Sequence, residues 1–126
     1  MSIRTPLSRA RGLGSAKGGT DHYWAMRVSS MASLLLMFYF FYAMFQLIGV
    51  DYVGIRAFFA SPIQAGLAAL FVIVNCHHMM IGMQVIIEDY IHKDHTRQLL
   101  LMANMFFSIL VGAVGVLAII KLSLGA

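Results

Sequence analysis

Asp, Glu, Lys and Arg are absent from three long stretches of this chain, residues 28–50, 57–87 and 98–120. Crossing a bilayer takes ~20 predominantly apolar residues. Each stretch is long enough, so the pattern predicts an all-α membrane protein with three transmembrane helices. Ser61-Pro62 reads as the start of the second helix, with serine as N-cap and proline in the first turn. From Pro62 to Ile87 a helix spans roughly 39 Å, more than the ~30 Å hydrocarbon core, so this helix is expected to tilt or project. The predicted spans are about 28–50, 62–87 and 98–120, within an anchor domain of residues 23–126. No internal repeat is visible.

Polar and aromatic punctuation refines this outline. Tyr23-Trp24 opens the first span where interfacial aromatic belts form, with Arg27 at its mouth. Ser29, Ser30 and Ser33 mark a small-residue face suited to close helix packing. The third span carries Asn104 and Ser108 toward one end, and Gly112 and Gly115 further along. Residues 1–22 read as a basic, flexible tail, with residues 1–20 extended or irregular because of Pro6, the glycines and the serines.

Composition closes off the soluble alternative. At 126 residues, 60% hydrophobic and 11% charged, the chain cannot cover its apolar surface with a core of its own. Lipid or partner helices must do so. Of the nine basic residues, Arg4, Arg9, Arg11, Lys17 and Arg27 precede the first span, and Lys93 and Arg97 lie between the second and third. Only Arg56 and Lys121 fall on the other side. The positive-inside rule therefore predicts a cytoplasmic (or matrix) N-terminus and 88–97 loop. The expected location is a bacterial inner membrane rather than a mitochondrial one. The pI near 9.6 reflects charges flanking the spans and gives no reason to invoke nucleic acid.

Cys76 is the only cysteine, so no internal disulfide can form. The N-terminal segment has no apolar core of a signal peptide, and its glycines disfavour an amphipathic transit helix. The run GLGSAKGGT fails as a phosphate loop, because Lys17 precedes the closing glycines and no strand leads into it. A basic tail meeting a peripheral protein or anionic headgroups fits it better.

The candidate chemistry lies between His78 and Tyr90. Acidic and basic side chains inside a bilayer are costly and point to function, and His77 and His78 are the only such residues within the predicted spans. At ~100° and ~1.5 Å per residue, Asp89 returns to within about 20° of the His78 face, roughly 16 Å further along. Gly82 lies about 40° off that face, so a flat, bulky ligand can approach the backbone beside His78. A neutral imidazole suits haem iron. His77 points about 100° away, toward packing or a hydrogen bond. One chain offers one well-placed axial ligand, so a second must come from a partner. The competing reading is a histidine that only hydrogen-bonds a neighbouring helix.

Asp89 and Tyr90 fall at the predicted cytoplasmic headgroup level. The Tyr90 hydroxyl is suited to donate to a quinone carbonyl, and Asp89 to hold an arginine or order water for proton delivery. Arg27 is placed to pair with haem propionates, with His22 a weaker candidate for the same work. His92 and His95 read as solvated loop residues, the ten methionines as apolar packing, and Asn75 and Cys76 as facing helix neighbours.

Two segments carry a resemblance: GLGSAKGGTDHYWAMR, from Gly12 to Arg27, and HMMIGMQVIIEDYIH, from His78 to His92. With the three-span topology, they make the chain resemble the hydrophobic membrane anchors of succinate dehydrogenase (complex II), in particular the alphaproteobacterial and mitochondrial-like type. The likeness covers nearly the whole chain. It implies that His78 is an axial ligand of haem b, whose other ligand is a histidine on a companion anchor subunit. It further implies that Tyr90 hydrogen-bonds ubiquinone with Asp89 as its neighbouring carboxylate, and that Arg27 lies near the haem propionates. The family more often has two tryptophans where this chain has Tyr23-Trp24.

The expected function is therefore a three-helix anchor that packs with the companion subunit into a larger helical bundle. It docks a flavoprotein subunit carrying FAD and an iron–sulfur subunit, and shares in haem ligation and the quinone pocket. The chain itself has no cysteine set for a cluster and no dinucleotide fingerprint. Two rival readings are a fumarate reductase anchor and a non-redox assembly or transport subunit.

Overall fold

A computed structural model describes residues 6–7 and 16–125. Arg4, Arg9 and Arg11 of the expected tail, and residues 12–15 of the glycine-rich run, lie outside the described residues. The chain forms α1 (Ala16–Leu47), α2 (Tyr52–Phe59), α3 (Pro62–Tyr90) and α4 (Asp94–Leu124). Three of these contain stretches long and apolar enough to cross a membrane: Thr20–Leu47, Pro62–Tyr90 and Asp94–Leu124. The protein is an all-α membrane protein, as its charge-free stretches predict.

The helices outrun the charge-free stretches at several ends. α1 begins at Ala16, inside the segment expected to be irregular. Once a long apolar helix is nucleated, each added residue gains a hydrogen bond at little further cost, so Gly18 and Gly19 are tolerated there. α4 begins at Asp94, an acid in the first turn that complements the helix dipole. Its Arg97 pairs with Asp94 at 2.7 Å. It ends at Gly125, whose φ of 72° places it in the left-handed C-cap position that glycine adopts without penalty. α3 starts at the expected residues, with Ser61 extended before Pro62, although the Ser61 side chain makes no capping hydrogen bond.

The connection after α1 turns at Gly49 (φ 73°) and then forms α2, a short helix where the break between spans predicts only a loop. Asp51 is its N-cap, with Oδ1 accepting the Gly54 amide at 2.9 Å. α2 lies against the end of α4: the Arg56 guanidinium donates to the Gly125 carbonyl at 2.7 Å. This satisfies an otherwise orphaned group at the helix C-terminus. Arg56 also lies over the Tyr52 ring, 5.9 Å from its centroid.

α3 is the middle helix, packed on one side against α1 and on the other against α4. The α1/α3 contacts run antiparallel, from Ser29–His78 through Ser33–Asn75 to a stacked Phe40–Phe71 pair with centroids 5.0 Å apart. Tyr39 completes the seam by donating to the Gln64 carbonyl at 2.9 Å. The α3/α4 seam also runs antiparallel. Asn104 donates to the Met80 carbonyl at 2.9 Å, and a Cβ added at Gly112 would lie 3.7 Å from Cys76. At Gly115 an added Cβ would lie only 2.8 Å from Val72 Cγ1.

Little is buried by this packing. Among the described residues the buried apolar side chains are Leu36, Ala43, Ile81 and Ile87, and no large side chain is fully enclosed. Phe38, Phe45, Leu110 and Leu117 are each more than 60% exposed. In water such a surface would drive association; in a bilayer it faces lipid or other helices.

Candidate functional site

His78 sits near the middle of α3 and turns toward α1. Its Nδ1 lies 2.9 Å from Ser29 Oγ, and Ser29 is only 6% exposed. The same hydroxyl donates to the Met26 carbonyl one turn back, at 2.9 Å. One turn further along α1, Ser33 donates to Asn75 Oδ1 at 2.6 Å, while Asn75 Nδ2 donates to the Phe71 carbonyl at 2.8 Å. The local logic is helical: serines four apart and an Asn–His pair three apart each share a face. In sequence these serines mark only a packing surface. That one of them meets His78 is a finding of the structure, and their spacing was the only signal for it.

Two features fit His78 to a planar metal cofactor. Its Nδ1 is engaged by Ser29, leaving Nε2 as the ring nitrogen for a ligand. A Cβ added at Gly82, one turn along, would meet nothing within 4 Å, so the backbone beside His78 is open to close approach. Among the described residues no three His, Cys, Asp or Glu side chains stand together to hold a metal ion. A metal held at His78 therefore draws its other ligands from elsewhere, as haem does.

His77 turns elsewhere. It is exposed and lines a groove of about 430 Å³ between α3 and α4 with Cys76, Met80, Ser108 and Gly112. Ser108 Oγ is buried there without a hydrogen-bond partner. The two imidazoles thus face different seams, and the His78 side alone carries the hydrogen bond to α1.

Tyr90 closes α3 and is 77% exposed. It lines a second α3/α4 groove, about 460 Å³ in volume, with Met83 and Ile86 of α3 and Leu100, Ala103 and Phe107 of α4. The groove is apolar except for Asn104 on its α4 wall and the phenol at its end. The sequence singled out Tyr90 of this lining, but nothing in it indicated the apolar walls from α3 and α4. Asp89 is exposed beside Tyr90, and the nearby Arg97 pairs with Asp94 rather than with it. Glu88 accepts a hydrogen bond from Gln84 at 2.9 Å.

Arg27 and His22 lie on the N-terminal part of α1, at the same end of the bundle as Tyr90. Arg27 is exposed, its guanidinium 5.2 Å from the Tyr23 ring centroid, and His22 is half-buried. The structure brings His78 together with Ser29, and Tyr90 together with the α4 wall. No hydrogen bond or ion pair joins Arg27, His22 or Asp89 to His78, Ser29 or Tyr90 among the described residues.

A central helix bearing an intramembrane histidine, flanked by two helices and almost without a core, defines a membrane subunit built to be completed by other components. Residues 1–117 match the succinate dehydrogenase/fumarate reductase transmembrane subunit family. The chain belongs to that family, among its hydrophobic membrane anchor subunits. It is 38% identical over 126 residues to the succinate dehydrogenase hydrophobic membrane anchor subunit of Paracoccus denitrificans, covering 100% of this chain and 97% of the relative. The corresponding subunit of Rickettsia bellii is 32% identical over 108 residues, 86% of each chain. That of Rickettsia typhi is 28% identical over 108 residues, again 86% of each. No solved structure matches the chain.

Proposed function

We propose that this chain anchors a succinate:quinone oxidoreductase in the bilayer, supplies one axial ligand of haem b through His78, and lends Tyr90 to the ubiquinone-reduction site. Succinate is oxidised elsewhere, on an FAD-bearing flavoprotein subunit, and electrons arrive through an iron–sulfur subunit. A companion anchor subunit provides the second haem ligand and covers the exposed helix faces. The observation that carries this reading is the His78 environment: an imidazole on a helix long and apolar enough to cross a membrane, hydrogen-bonded through Nδ1 and open along the backbone at Gly82.

Haem b, when bound, supplies a one-electron centre within the bilayer. Histidine holds such an iron through a neutral ring nitrogen, and the α1/α3 seam keeps the His78 ring oriented for it. Arg27, with His22 as a weaker partner, stands at the membrane surface to meet the propionates. The Tyr90 hydroxyl donates to a quinone carbonyl oxygen, holding the ring while the apolar α3/α4 groove takes up hydrophobic parts of the molecule. Reduction to quinol consumes two electrons and two protons. Asp89, exposed to the headgroup region, orders the water that brings those protons.

The basic residues around α1 and the α3/α4 turn favour the cytoplasmic side of a bacterial inner membrane for this end of the bundle. α2 and the C-terminal end of α4 lie at the opposite face. The relatives carry the name of succinate dehydrogenase subunits, which favours succinate oxidation over the reverse reaction.

The test is a reduced-minus-oxidised spectrum of the intact complex, purified in mild detergent through this subunit and reduced with succinate. A b-type haem signal, with flavin and iron–sulfur subunits copurifying, is the expected result. An intact complex without haem removes the role given to His78. Absence of quinone-reductase activity as well would leave a non-redox assembly subunit.

A further inference from the structure

We infer that Ser29 is a positioning residue that fixes the tautomer of His78 and tunes the iron it binds. This deepens the haem reading above and rests on it. Proton counting decides the arrangement. A serine hydroxyl carries one proton and two lone pairs. Ser29 Oγ makes two short contacts, 2.9 Å to the Met26 carbonyl and 2.9 Å to His78 Nδ1. The carbonyl has no proton to give. If Ser29 spends its proton on Nδ1, two oxygen lone pairs face each other across the Met26 contact. If Ser29 instead donates to Met26 and accepts from Nδ1–H, both contacts hold a proton. Only this second arrangement satisfies both.

The consequence for His78 is direct. A neutral imidazole protonated at Nδ1 has its lone pair on Nε2, the form a metal requires. The chain Nδ1–H to Ser29 Oγ–H to Met26 carbonyl sets the ring's rotation as well as its tautomer. It also feeds electron density into the ring, since an acceptor on the far nitrogen raises the basicity of the ligating one. A more basic ligand stabilises ferric over ferrous iron and lowers the midpoint potential. A hydroxyl does this more gently than a carboxylate. The Met26 carbonyl also accepts the Ser30 hydroxyl, at 2.7 Å. Shared with this second hydroxyl, it pulls less on the Ser29 proton, which keeps the push on the imidazole modest.

Ser29 also ties α1 to α3, so a structural role alone has to be separated. Ser33 supplies the control: it makes the same kind of interhelical bond one turn away, to Asn75, without touching His78. The experiment is a redox titration of haem b in the assembled complex, read at the haem absorption band, with haem content normalised to flavin. Ser29→Ala is expected to raise the midpoint potential and to weaken haem retention ~10-fold, at the lower end of the loss typical when a metal ligand's hydrogen-bond partner is removed. Ser29→Cys, which roughly keeps volume but accepts weakly, should shift the potential in the same direction even if the alanine variant assembles poorly. Ser29→Thr should restore it, and Ser33→Ala should leave it unchanged.

A wild-type potential in both Ser29→Ala and Ser29→Cys overturns the inference, as does an equal shift in Ser33→Ala. His78→Ala separates this inference from the ligand assignment beneath it. Haem retained without the imidazole overturns both together. Haem lost in His78→Ala with Ser29 variants silent overturns the role of Ser29 only.

Discussion

The two seams of α3 hold the bundle by different means. Against α1 the contact is a ladder of hydrogen bonds, Ser29–His78 and Ser33–Asn75, ending in the stacked Phe40–Phe71 pair. Against α4 it is close approach over small residues, Gly112 at Cys76 and Gly115 at Val72, with a single side-chain bond from Asn104. Within lipid, apolar burial adds little to helix association, so packing and polar contacts must carry it. The polar seam fixes an imidazole in direction and tautomer. The small-residue seam fixes distance and leaves grooves along it, one of them ending at Tyr90.

The seams differ most in what their histidines do. His78→Ala should abolish haem binding in the assembled complex, whereas His77→Ala, on the other seam, should not. Haem content per flavin after purification measures both. A reversed result would move the cofactor to the α3/α4 side.

Gly115→Ala tests the close seam. Its new methyl would press on the stiff, branched Val72 side chain, costing about 1–3 kcal/mol by overpacking. Gly112→Ala meets Cys76 at ordinary contact distance and should be tolerated. Thermal inactivation of the detergent-solubilised complex compares the two, and equal Tm values would deny that Gly115 sets the helix spacing.

Tyr90→Phe removes one hydroxyl at the groove's end without altering its apolar wall. Quinone reduction should fall about 2–10-fold, the equivalent of one hydrogen bond of ~0.5–1.5 kcal/mol. Succinate-driven reduction of a soluble artificial acceptor should be unchanged. Equal loss of both activities would point to faulty assembly instead.

The smallest effect belongs to Ser33→Ala, about 0.6 kcal/mol, the average measured for interhelical hydrogen bonds in a membrane protein. Asn75 keeps its bond to the Phe71 carbonyl in that variant, which limits the penalty. A much larger drop in stability would mean that the polar ladder, rather than the glycine seam, dominates α3 packing.

The three spans were legible because a charge inside hydrocarbon is expensive and a run without charge long enough to cross is rarely accidental. Ser61-Pro62 announced its helix start through local geometry alone, and the His78–Gly82 spacing gave a shared face by helix arithmetic. Helix ends were less legible. Charge marks where the hydrocarbon stops, while hydrogen bonding continues past it, so α1 reaches back to Ala16 and α4 runs from Asp94 to Leu124. α2 was not legible because eight residues give too short a pattern to separate from a loop, although Asp51 followed by Gly54 held the capping signal.

The sequence by itself determined the class of fold, the presence of an imidazole in the membrane and its register with Asp89 and Tyr90. These follow from composition and from the period of a single helix. Tertiary structure decided what no single helix contains. It joined Ser29 to His78, turned His77 toward a different neighbour, and set the α4 wall opposite Tyr90. The reason is physical: periodicity fixes which side chains share a face, but only the packing of two helices fixes what that face meets.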